Sequence, residues 1–100
     1  MERKILFIAN AVRWFDKVNG NTYHSVKIIR VSDNAELKSL PLIYGYGRQY
    51  EQSALSLMIQ NGWIDKKYKG NEFNYERENN YPILWNVFDG LKRDMKNNVA

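Results

Sequence analysis

The chain has 100 residues, a formal net charge of +4 and no cysteine. That length suits a single domain, residues 1–100, and the absent cysteines exclude a disulfide framework or a thiolate metal site. No segment approaches the roughly 20 apolar residues of a membrane span, and Asn10, Arg13 and Asp16 interrupt the first apolar run too early for a signal peptide, so a soluble cytoplasmic protein is expected.

Residues 4–16 read as a strand that is apolar on both faces, with Leu6, Ile8, Val12 and Trp14 on one parity and Phe7, Ala9, Ala11 and Phe15 on the other. Val18-Asn19-Gly20-Asn21 signals a hairpin, and residues 22–31 form the partner strand. A two-residue turn at Asn19-Gly20 would set Val12 opposite Lys27 and Trp14 opposite Ser25. A three-residue loop with Gly20 in a bulge sets Trp14 opposite Val26 and Val12 opposite Ile28. The second register keeps apolar with apolar and is preferred. It also sets Arg13 opposite Lys27, a like-charge pair that an anion, solvent or a different register would relieve.

Residues 32–36 make a second turn. Leu37 to Tyr44 makes a third strand, which Pro41 marks as an edge or a bulge. The three strands form an antiparallel meander. Residues 48–61 carry helical periodicity through Tyr50, Ala54, Leu57 and Met58. Gly62 ends the helix in a Schellman turn that folds Trp63 back on Met58. Residues 65–81 are polar and studded with tyrosines, and the alternation around Phe73 and Tyr75 suits a short strand. Residues 82–88 make a last strand and 91–97 a short terminal helix. The expected architecture is α+β: an antiparallel sheet of three to four strands covered by one main helix.

Chemistry is sparse in this sequence. His24 is the lone histidine and reads as an ordinary strand residue. Glu72, Glu76 and Glu78 lack metal-ligand spacing, and neither a cofactor motif nor an assembled acid–base set is present. One candidate site is the turn Gly45, Tyr46, Gly47 and Arg48, where a strand passes into a helix whose start offers free N–H groups and partial positive charge. The loop of residues 66–75, with Lys66, Lys67, Tyr68 and Lys69, is expected to complete the same site on one surface, since its cations alternate with aromatic rings as in loops that hold phosphates and stack a base. Arg48 would pair with phosphate, and Tyr46 and Tyr68 would stack. Lys92, Arg93 and Lys96 read more simply as cations favouring a helix C-terminus.

The strings Trp14-Phe15-Asp16-Lys17-Val18-Asn19-Gly20-Asn21-Thr22-Tyr23 and Tyr44-Gly45-Tyr46-Gly47 resemble segments of small uncharacterised proteins of bacteriophages and prophages. The resemblance implies an accessory protein of a mobile element in a bacterial cytoplasm, with a host factor, a nucleic acid or a small nucleotide as partner. Together with the basic excess of residues 1–50, the expectation is a non-enzymatic protein that binds a phosphate-bearing ligand, either nucleic acid or nucleotide. The alternative is a protein-interaction or inhibitor protein acting on a host factor, as a homo-oligomer joined through an edge strand.

Overall fold

The computed structural model describes residues 3–100. Strands β1 (Phe7–Asp16) and β2 (Asn21–Arg30) form the predicted hairpin, followed by the short strands β3 (Glu36–Lys38) and β4 (Ile43–Tyr44). Helix α1 (Gln49–Gln60), helix α2 (Glu72–Glu78), strand β5 (Ile83–Asp89) and helix α3 (Lys92–Asn98) complete the chain. The class is α+β, with a five-stranded sheet ordered β3-β2-β1-β5 and β4 also paired to β2.

The sheet is not purely antiparallel. β5 runs parallel to β1, with Phe7 beside Ile83 and Arg13 beside Asp89. A parallel neighbour needs a long crossover, and residues 45–82 supply one through two helices. β5 also matches β1 by face: Ile83, Trp85 and Val87 lie beside Phe7, Ala9 and Ala11.

Neither hairpin register expected from sequence occurs. Trp14 stands opposite Tyr23, Val12 opposite Ser25 and Arg13 opposite His24. The cause is Asp16, whose carboxylate accepts from Val18 N–H at 3.0 Å and from Asn19 Nδ2 at 2.8 Å. It thereby closes a four-residue loop in which Gly20 N–H reaches Asp16 O at 2.7 Å. These bonds outweigh the two-residue preference of Asn-Gly. The change is an odd number of residues, so β2 presents its opposite face. Val26 and Ile28 now lie with Ala11 and Ala9.

The predicted third strand is split at Pro41, which has no N–H for the ladder. Ser39 bridges the gap by donating its N–H to Val26 O at 2.9 Å and accepting Val26 N–H on its Oγ at 2.8 Å. Residues 65–81 hold no strand. Lys66–Tyr68 form a 3-10 turn and Glu72–Glu78 form α2. Tyr68 and Tyr75 meet edge to face at 5.3 Å, so the tyrosines anchor helical turns in place of alternating on a strand.

Cover comes from α1 on one face and α3 on the other, not from one helix. On the first sheet face Phe7, Ala9, Ala11, Val26, Ile28 and Ile83 pack with Tyr50, Ala54, Leu55 and Met58 of α1 in one core. The Schellman ending of α1 forms as expected: Trp63 N–H donates to Met58 O and Gly62 N–H to Ile59 O, with Gly62 at φ 72°. Trp63 stacks on Phe7 at 5.8 Å and carries the Arg30 guanidinium 4.5 Å over its ring. On the second face α3 crosses β1 and β2, with Met95 fully buried and its carbonyl accepting from Ser25 Oγ at 2.9 Å.

Candidate functional site

The turn from β4 into α1 is built on glycine for steric reasons. Gly45 has φ 154°, and a Cβ there would stand 2.6 Å from Gln49 Cγ and 3.3 Å from His24 Cε1. Gly47 follows at φ 64° and offers its carbonyl to Arg13 Nη1 at 3.3 Å. Arg48 grips the buried Glu51 carboxylate with two bonds of 2.9 and 3.1 Å. The positive charge of this helix start is therefore already countered. Tyr46 is 75% exposed.

Lys66, Lys67 and Lys69 are exposed, but Tyr68 is only 8% exposed and belongs to the core. Its ring lies edge-on to Tyr75 with Lys67 Nζ 5.2 Å from its centre, which leaves no face for a base. A groove of about 330 Å³ beside Arg48 is walled by Phe73, Asn74, Glu76, Arg77 and Tyr81 of the α2 region, with no lysine. Among the described residues no hydrogen bond or ion pair joins Gly45–Arg48 to Lys66–Lys69.

Arg13 does not face Lys27. Its guanidinium meets Asp89 on the parallel strand, with Nε and Nη2 at 3.1 and 3.0 Å from Oδ1. That pair opens onto a larger groove of about 960 Å³ at the carboxyl ends of β1 and β5, lined by Trp14, Phe15, Lys17 and Leu91 among others.

The register that sequence reasoning missed assembles an aromatic row on the second sheet face. Trp14 of β1 lies opposite Tyr23 of β2, and Tyr23 opposite Tyr44 of β4. Trp14 and Tyr23 stack at 5.8 Å and 25° between planes, and Tyr44 meets Tyr23 edge-on at 5.8 Å. Tyr44 is 61% exposed at the open end. The same face carries α3, whose outward side presents Lys92, Arg93 and Lys96, all exposed. Lys27 and Lys38 face each other on neighbouring strands.

Because α3 begins at Lys92, two of its three cations do not favour a C-terminus as expected. Lys92 and Arg93 occupy the first turn, at the positive end of the helix dipole, where a cation costs about 0.3–1 kcal/mol. Asp94 shares that first turn, accepts from Leu91 N–H at 2.7 Å and meets the dipole with a favourable charge. Lys92 lies close enough to Asp16 to join the Asn19 side-chain hydrogen bond in lowering the pKa of that carboxyl.

His24 is 1% exposed, with Nε2 2.8 Å from Ser53 Oγ and Nδ1 3.5 Å from Gly45 O. Burial lowers its pKa below the ordinary value, and the bond to the Gly45 carbonyl partly offsets this. A serine does reach the histidine, but the third position is a backbone carbonyl, not a carboxylate. The pair fastens β2 to α1 under the Gly45 turn. Among the described residues no group of three His, Cys, Asp or Glu is placed to hold a metal ion, and no helix is long and apolar enough to cross a membrane. Comparison with protein-family models, curated proteins and solved structures finds no match.

Proposed function

We propose that this chain is a non-enzymatic binding protein for single-stranded nucleic acid, with bases on the Trp14–Tyr23–Tyr44 row and phosphates against Lys92, Arg93 and Lys96. A single observation carries the reading. An aromatic row and a cationic helix share one sheet face, and two of the cations sit where the helix dipole opposes them. Rings stack on bases of any sequence, at about 1–3 kcal/mol each, while lysine and arginine meet the backbone charge. This keeps the phosphate-bearing ligand expected from sequence and moves it away from Gly45–Arg48 and Lys66–Lys69.

Fluorescence anisotropy with a labelled, unstructured oligonucleotide tests it. Three phosphate contacts on a single strand give a log–log salt slope of about −2, so affinity falls roughly 20-fold between 50 and 200 mM salt. Absence of binding at low salt, or binding that ignores salt, contradicts the proposal.

A second reading, a protein-interaction protein acting on a host factor as the mobile-element resemblance implies, is favoured by the exposed run Leu40, Leu42, Tyr44 and Tyr46 along the broken edge. Under it, Leu40→Asp abolishes partner capture while oligonucleotide affinity stays near zero throughout.

A further inference from the structure

β5 ends the sheet with one neighbour, β1. The ladder shows which of its peptide groups are unused. Gly90 N–H donates to Arg13 O at 2.8 Å and Phe7 N–H to Pro82 O at 3.2 Å, so the even-numbered residues of this stretch turn toward β1. The peptide N–H and C=O groups of Ile83, Trp85, Val87 and Asp89 point away from β1, and the Arg3 side chain takes Ile83 O from that side. Natural edges are blunted with lysine, proline or a bulge. Ile83–Asp89 has no lysine or proline and pairs with β1 residue for residue.

The strand is also self-complementary. Leu84 and Phe88 each lie two residues from Asn86, on the same face, and are 41% and 60% exposed. An antiparallel partner centred on Asn86 sets Leu84 of one copy against Phe88 of the other, twice. The same register pairs the outward peptide groups of Trp85 and Val87, and brings the exposed Asp89 beside the end held by Arg3. Slipping the register by one pair sets Leu84 against Asn86 and loses both matches.

We propose that a second copy of this chain pairs antiparallel along β5, about a two-fold axis through Asn86. The axis is perpendicular to the sheet. Both α3 faces therefore lie on one side, and two aromatic rows and two cationic helices share a continuous surface. The pairing is independent of the ligand, because its readout is mass.

Sedimentation equilibrium of the full chain, from roughly 10 μM to 1 mM, should show twice the chain mass at the upper end. Leu84→Lys sets a charge against Phe88 and raises the dimer dissociation constant at least about tenfold. Adding Phe88→Glu to the same chain restores the dimer, because the two new charges then oppose each other across the axis. Val87→Pro removes an outward donor without touching the β1 ladder, and it yields a monomer with unchanged circular dichroism. A monomer across the whole range, a dimer indifferent to Leu84→Lys and Val87→Pro, or no recovery in the double variant overturns the proposal.

Discussion

Lys92 and Arg93 occupy the first turn of α3, where the helix dipole disfavours a cation. Replacing both by glutamine relieves the α3 dipole, and thermal or urea denaturation should find the variant more stable by about 0.3–1 kcal/mol per cation. Under the proposed function the same variant binds oligonucleotide more weakly and with a shallower salt slope. Stability and affinity thus move in opposite directions, an outcome that a purely structural role for these residues does not produce. His24 gives a separate residue-scale prediction. Its folded-state pKa lies below 6.5 because burial disfavours the imidazolium. As pH falls below 6.5 the unfolded chain takes up that proton first, so stability is full above 6.5 and declines below it. Burial raises the pKa of Glu76, which acts in the reverse sense: its stabilising contribution is present below 4.5 and is lost as pH rises. Urea midpoints of wild type and His24→Gln, compared from pH 5 to pH 7.5, isolate the histidine: the wild type loses stability on acidification relative to the variant.

At the scale of elements, the turns and α3 set the stability of the binding face. Gly62→Ala meets open space and costs only the strain of a positive φ, about 1 kcal/mol. Gly45→Ala adds a Cβ 2.6 Å from Gln49 Cγ and should cost more, by shifting the start of α1. Equilibrium unfolding of the two variants ranks them directly. Met95→Ala empties the contact that holds α3 to the sheet and should cost about 2–5 kcal/mol. Several of these elements were legible in the sequence for identifiable reasons. The apolar stripe of α1 repeats at helical spacing and ends at Gly62. The β1–β2 hairpin has a strong turn between two apolar runs. Register was not legible, because β1 is apolar on both faces and accepts either parity of β2, and the loop length depends on the Asp16 carboxylate. α2 spans only seven residues, too few to show a period, and Phe73 and Tyr75 within it imitate strand alternation.

On the scale of the whole molecule, the parallel β1–β5 pairing joins strands nearly eighty residues apart, and no local pattern announces such a contact. That contact gives Arg13 its counter-charge in Asp89 and leaves β5 as the free edge. The candidate site was hidden for a related reason. Trp14, Tyr23 and Tyr44 were each visible as aromatic residues, but their convergence follows from the true hairpin register and from β4 pairing with β2. Tyr68 misled in the opposite way: a tyrosine among lysines looks available, and only the packing against Tyr75 removes it.

Chemical-shift mapping with an unstructured single-stranded oligonucleotide tests the central claim most directly, because it separates the two surfaces. The account predicts that shifts concentrate on the Trp14 indole, on Tyr23 and Tyr44, and on residues 91–96, and that they weaken together as salt rises. Shifts confined to Gly45–Arg48 and Lys66–Lys69, or none at low salt, would contradict it.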